Sequence, residues 1–304
     1  MVRITKKFEE ADLITHSGVF HGDEVFATVI LSKLKGDVKV LRTFKVPESG
    51  LKPDAVVYDI GHGCFDHHQR GGNGVRANGV PYASAGLIWR EFGYQLLKGF
   101  KYIEAERIWH YVDSALIAGV DAMDNGALPF RDYPIQDMNV SRAITTFNPD
   151  WDSDETPDQA FMRAIAFAEV IFDNTFARAI SEVKAKGLVE EAIASASEHI
   201  MVLDRFVPWQ SHIYHSEMPE KAQEIWFVVF PSNRGGFNWQ CVPEGNGSRA
   251  PRRSVPDAWC GLPQDKLREV TGVSTATFCH QAGFIGSAET LEDAILMAKL
   301  AIQS

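Results

Sequence analysis

The chain has 304 residues, 45% hydrophobic and 23% charged, which is enough apolar material for a large core shared by about two domains. A formal charge of −10 argues against a protein that coats nucleic acid through a basic surface, while leaving room for a small basic cleft. The longest apolar run, Ile225 to Phe230, is far short of the roughly 20 residues that span a bilayer. The opening residues hold no signal-peptide core, and the four cysteines form no CxxC pair, so the expectation is a soluble cytoplasmic protein without a disulfide framework or a thiolate zinc knuckle.

In chain order, Asp12 to His16 reads as a short buried strand stopped by Ser17-Gly18. From Asp23, apolar residues at Val25, Val29, Ile30 and Leu34 recur at helical spacing until Gly36. Val38 to Phe44 alternates as a strand, and Ala55 to Ile60 is a continuous apolar run like a central parallel strand. Helices follow over Ser84–Leu97 and Ile103–Val120, and strands alternating with helices imply a parallel sheet covered on both faces. The middle predicts a helix over Asp158–Lys186, broken at Gly187, then another ending near His199. Beyond it lie short β-like runs (Met201–Phe206, Ile225–Phe230, Phe237–Val242, Thr275–His280) and a closing helix over Thr290–Ile302. The expected fold is α/β: an N-terminal parallel-sheet domain, linking helices and a smaller C-terminal α/β domain with a mixed sheet. The boundary is placed near residues 190–200, giving 1–195 and 196–304.

Five of the ten histidines fall within the first 68 residues, in segments that also carry aspartates. His16 ends a predicted strand and Asp23 opens the next helix, in His16-Ser-Gly-Val-Phe-His21-Gly-Asp23-Glu24. Ligands bind at the carboxyl ends of parallel strands, beside helix N-termini. Asp59 ends its strand in the same way, Asp66-His67-His68 precedes a glycine-rich stretch, and Asp121 and Asp124 sit at a predicted helix end. Taken singly, Asp23 reads equally as a helix cap and Asp124-Asn125-Gly126 as a turn. Jointly, imidazole and carboxylate ligands without thiolate suit manganese, iron or zinc, and magnesium less well. The donors outnumber what one tetrahedral zinc needs, so a carboxylate-bridged pair of metals is expected, with Asp59 as the bridge.

These segments, in this order, resemble the DHH phosphoesterase superfamily, and more closely its melanocyte-proliferating-gene protein family, often labelled metal-dependent hydrolases. The resemblance rests on THSGVFHGDE (15–24), FDHHQR (65–70), PYASAGLIW (81–89), FNPDW (147–151) and CHQAGFIGS (279–287), and covers nearly the whole chain. It implies a DHH-type catalytic domain, a substrate-binding C-terminal domain with a cleft between them, and two divalent cations, manganese first, with magnesium or zinc as alternatives. The implied activity is 3′–5′ exonucleolytic cleavage of single-stranded RNA or short oligonucleotides. His16 and His21 would hold one metal, Asp23 and His67 the other, with Asp59 bridging and Asp124 or Asp121 completing the set. The superfamily's first motif usually reads His-x-x-x-Asp-x-Asp; here the spacing is one residue longer, and His21 stands where the middle aspartate would be.

In the implied mechanism a metal-activated water attacks phosphorus. His68 contacts the phosphoryl group or the leaving oxygen, and Asp66 fixes a histidine or orients the site. In the C-terminal half, Arg234-Gly235-Gly236 offers a cation beside glycines that let backbone approach a phosphate. Arg249, Arg252 and Arg253 form the densest basic cluster, with an exposed loop as the plain alternative, and His280 ends a strand before a Gly283-Phe-Ile-Gly286 turn. Arg234, Gly235, Gly236, Arg252, Arg253 and His280 are the expected substrate contacts. His212 and His215 lie three apart on an expected strand, face opposite sides and read as structural, and Trp226 and Trp239 read as core. Two competing functions stay open: a hydrolase of another small phosphoester or of an amide, and a non-catalytic metal-binding scaffold.

Overall fold

The computed structural model describes residues 1–127 and 138–304. The chain forms two compact units, Met1–Ile180 and Ser181–Ser304.

The first unit is built on a four-stranded sheet, order β1-β3-β2-β4, in which every pairing is parallel. Its strands are β1 (Val2–Thr5), β2 (Leu13–His16), β3 (Val38–Thr43) and β4 (Val56–Val57). Helix α1 (Gly22–Lys35) follows β2 and buries Val25, Phe26, Val29 and Ile30. Glu24 accepts from the His21 amide at its N-terminus, Lys33 and Lys35 occupy its last turn, and Gly36 at φ +81° ends it. Helix α2 (Ser84–Phe92) packs on α1, and α3 (Tyr102–Val112) runs through a π-helical turn, Asp113–Ile117, into α4 (Ala118–Asp124). After α5 (Val140–Thr145) comes α6 (Pro157–Ser195), 39 residues long.

Two expectations for this region are corrected. The run Ala55–Ile60 contributes only Val56 and Val57 to the ladder, because Asp59 takes a left-handed φ of +58° and turns the chain out of the strand. Gly187 does not break the helix. A mid-helix glycine costs about 1 kcal/mol, which the packed Ala185, Val189 and Ile193 on the same helix outweigh.

The second unit holds a five-stranded mixed sheet, order β5-β6-β7-β9-β8. The strands are β5 (Ile200–Val202), β6 (Phe227–Pro231), β7 (Phe237–Cys241), β8 (Ala276–Cys279) and β9 (Ile285–Ala288). β5 pairs with β6 in parallel, and the other pairings are antiparallel. Short helices α7 (Gln210–Tyr214), α8 (Pro219–Gln223) and α9 (Gln264–Thr271) precede the closing α10 (Leu291–Gln303), which is capped by the Thr290 side chain. His212 lies within α7 and His215 directly after it, so the strand expected there is replaced by a helical turn. Strand β9 takes up Gly286, which was expected in a turn; a Cβ at that position would overlap the Trp239 ring. Trp239 is fully buried, whereas Trp226 is partly buried and stacks on His199 at 3.8 Å. No helix among the described residues is long and apolar enough to cross a membrane.

Candidate metal centre

The parallel sheet brings the carboxyl ends of β2 and β4 side by side, and the N-terminus of α1 follows β2 directly. His16 is the last residue of β2, and its Nε2 lies between Glu24 Oε1 at 2.8 Å and Asp59 Oδ2 at 3.0 Å. The positive φ of Asp59 aims its carboxylate back into this cluster, at a backbone cost that an ordinary strand residue would not carry. Its other oxygen accepts from Ser84 Oγ at 3.0 Å and lies 3.5 Å from His67 Nδ1. His67 Nε2 in turn lies 2.8 Å from Asp124 Oδ2. Asp23 Oδ2 accepts from the Ser84 amide, while Asp23 Oδ1 is buried with no hydrogen-bond partner among the described residues. Thus Ser84, from the PYASAGLIW segment, braces both Asp23 and Asp59.

Asp66 is buried and builds the neighbouring turn. Oδ1 accepts from the His68 amide (3.0 Å) and lies 2.8 Å from His68 Nδ1, and Oδ2 accepts from the His62 amide at 2.7 Å. Asn73 Nδ2 donates to the carbonyls of Cys64 and Asp66 and closes the loop from below. The His68 ring is left half-exposed, 4.3 Å from the His67 ring.

The electrostatics are those of a cluster short of positive charge. Burial and then the charges of Asp59, Glu24 and Asp124 push the Asp23 carboxyl well above the usual carboxylate range. Burial by itself would lower His16, but hydrogen bonds to Asp59 and Glu24 win and carry it up to about 10. For His67 burial also lowers, and the Asp124 contact with the Asp59 charge outweighs it. Burial would raise Asp66, yet the amides of His68 and His62 hold it below its ordinary value.

Four overlapping sets place ligand atoms within 4.8 Å of one another: Asp59, Asp66, His67 and His68; His16, His21 and Glu24; His21, Asp23 and Asp124; and Asp23, Glu24 and Asp59. The five carboxylates and four imidazoles of these overlapping sets, with one carboxylate oxygen orphaned, are a donor set that fits divalent cations. Asp121 lies elsewhere. It is fully buried, accepts from the Gly86 amide at 3.0 Å, and pairs with Arg76 Nη2 at 2.8 Å; Arg76 also binds Asp113. Burial pushes Asp121 up to about 7 against the pull of Arg76. Glu24 was passed over in the sequence, although a Glu three residues after a helix cap is a recognisable capping position.

In the second unit, Arg234 and Gly235 form the tip of the β6–β7 hairpin, with Gly235 at φ +90°. Gly236 follows at φ +68°, where a Cβ would overlap the Ala288 carbonyl. His280 Nδ1 accepts from the Ala282 amide in the turn between β8 and β9. The guanidinium of Arg252 donates to the carbonyls of Ala222, Gln223 and Ile225, and that of Arg253 to those of Ala301 and Ile302 at the end of α10. Both arginines therefore have main-chain partners that their clustering in the sequence did not reveal.

Residues 12–302 match the model of the MYG1 exonuclease family, described as Uncharacterised protein family (UPF0160). The chain belongs to the MYG1 family. It is 31% identical to the MYG1 exonuclease of Homo sapiens, over 94% of this chain and 84% of that protein. It is 30% identical to the MYG1 protein C694.04c of Schizosaccharomyces pombe, over 95% of this chain and 97% of that one, and 30% identical to the MYG1 protein YER156C of Saccharomyces cerevisiae, over 99% and 98%. The MYG1 match takes in both units, including every segment of the cluster around Asp59. No solved structure matches the chain.

Proposed function

We propose that this MYG1-family chain is a divalent-metal-dependent phosphodiesterase, a 3′–5′ exonuclease acting on single-stranded RNA or short oligonucleotides. The observation that carries the reading is the convergence of His16, His21, Asp23, Glu24, Asp59, His67 and Asp124 at the carboxyl ends of β2 and β4. The human relative, the MYG1 exonuclease, supports it by its name. His16, His21 and Glu24 would hold one cation and Asp23, His67 and Asp124 the other, with Asp59 between them. Asp124 is preferred to Asp121 because its carboxylate meets His67, whereas that of Asp121 is paired with Arg76.

Cations bound to this donor set would lower the pKa of an attacking water and neutralise charge building on the phosphoryl oxygens. The chain's own residues do the rest. Asp66 fixes the orientation of the His68 ring through Nδ1, which leaves Nε2 to face the substrate. As water oxygen bonds to phosphorus and the phosphorus–oxygen bond breaks, His68 supplies a proton to the departing oxygen. Ser84 keeps the carboxylates of Asp23 and Asp59 in place throughout. Arg234, Gly235, Gly236 and His280 serve as substrate contacts in the second unit. Arg252 and Arg253 act there through the loops and helix end they brace.

The test is a time course on 3′- and 5′-labelled single-stranded RNA with manganese, magnesium, zinc or chelator, beside His67→Ala. Stepwise shortening from the 3′ end that needs a metal and His67 is the expected result. An unchanged rate in His67→Ala would sink the reading, and bound metal without cleavage would shift it to another phosphoester or an amide.

A further inference from the structure

The sheet of the second unit is covered unevenly. On β7, Phe237, Trp239 and Cys241 point into the core shared with α10, so Asn238 and Gln240 point to the opposite face. On that opposite face, Val228 and Phe230 of β6 stand directly across from Gln240 and Asn238 and are packed beneath α6 and α7 by Ile193, Trp209 and Ile213. The cover ends there. Over the β7–β9–β8 half lies a groove of about 720 Å³, within the range of small-ligand sites. Its floor carries Asn238, Gln240, Ser287 and Thr277, and its rim Phe206, Phe278 and Arg234.

The chemistry of this groove is specific. Neither the Asn238 nor the Gln240 carboxamide hydrogen-bonds to another described residue, although both are half-buried and lie two residues apart on one face. Thr277 and Ser287 bond to each other, which leaves Asn238 and Gln240 as the unpaired carboxamides on the sheet, beside the exposed Asn233 of the hairpin tip. Phe206 and Phe278 keep 57% and 47% of their surface exposed beside them and offer apolar ring faces to the groove. Arg234 makes no side-chain hydrogen bond or ion pair with a described residue and is exposed at the hairpin tip, while the Gly235 amide beside it donates to the Ser232 carbonyl at 3.1 Å.

We propose that this open half-sheet holds one nucleotide of a single-stranded nucleic acid and reads its base. The base stacks on the exposed phenylalanines, Asn238 and Gln240 bond its edge, and Arg234 holds the adjoining phosphate. A carboxamide matches an edge with neighbouring donor and acceptor, and adenine through N6 and N7 is the best-suited base. An aromatic sheet face that stacks splayed bases is a recurrent solution for single strands. The inference rests on the nuclease reading for its substrate class and adds to it a base preference located in the second unit.

Equilibrium binding of labelled oligo(rA), oligo(rC), oligo(rG) and oligo(rU) pentamers to the full chain in EDTA, where hydrolysis is stopped, tests it. The wild type is expected to favour oligo(rA) by about tenfold, and Asn238→Ala with Gln240→Ala to flatten that preference. The thermal midpoint of the double variant should stay in place, since neither amide has a protein partner. Arg234→Ala should weaken all four oligomers by a similar factor. Unchanged affinity ratios in the double variant, or no binding by the wild type, overturn the groove. Failure of the nuclease reading looks different: the oligomers bind as described but stay intact when manganese is added.

Discussion

Asn148 holds Phe20 by both main-chain groups: its Oδ1 accepts from the Phe20 amide at 2.9 Å, and its Nδ2 donates to the Phe20 carbonyl at 2.8 Å. The two residues are 128 positions apart. Phe20 lies between His16 and His21, so a residue of the FNPDW segment sets the course of the loop that carries two candidate ligands. Arg42 assists from the other side, donating to the Gly18 carbonyl while its guanidinium sits 4.4 Å from the Phe161 ring. Asn148→Ala removes both contacts from a part-buried strap, and the expected loss is about 1–3 kcal/mol. Metal uptake should weaken with it, while the far-ultraviolet dichroism stays native. Metal titration of the purified variant checks this, and unaltered uptake would show that the loop keeps its course without Asn148.

Asp121 and Asp124 separate cleanly by substitution. Asp121→Asn breaks a buried pair with Arg76 and should cost about 3 kcal/mol, with metal content retained. Gly86→Ala should do similar damage, because a Cβ at Gly86 would overlap the Asp121 carboxylate. Asp124→Asn is expected to do the reverse, lowering metal content with little change in thermal midpoint. Thermal melts beside elemental analysis of the three variants decide the matter.

Asp66 touches the reaction only through His68. Asp66→Asn leaves the shape and takes away the charge that fixes the His68 ring, so the rate should fall about 10–100-fold. Metal content should hold, because Asp66 bonds the His68 ring and two backbone amides while the candidate ligands of the neighbouring sets stay in place. A variant that loses metal in proportion to rate would instead make Asp66 a ligand.

Metal uptake should be pH-dependent with a definite sign. In the metal-free chain His16 is raised to about 10 by Asp59 and Glu24, so it carries a proton at neutral pH, and Asp23 is also pushed toward its protonated form. Coordination requires both groups to be deprotonated, so manganese must displace those protons. Binding should release protons into weak buffer and weaken as the pH falls from about 8 to about 6. Proton-neutral uptake across that window would contradict the ligand set.

The sequence by itself determined whatever depends on neighbours along the chain. The apolar spacing from Val25 to Leu34, closed by Gly36, specifies α1; the helical pattern over Asp158–Lys186 and the cap at Thr290 specify later helices; and strand–helix alternation specifies a parallel first sheet. It also placed His16 at a strand end and Asp23 in the first turn of a helix, because strand and helix limits are set by local turn chemistry. Only the tertiary structure decided the rest. That Asp59 meets His16, that Ser84 spans Asp23 and Asp59, and that Arg76 claims Asp121 are contacts between segments distant in the chain. Arg252 and Arg253 looked like a basic patch because charge is visible in sequence, whereas the carbonyls that receive them lie up to 49 residues away. The partner of a buried polar group is chosen by which backbone the fold brings beside it, and no local pattern encodes that choice.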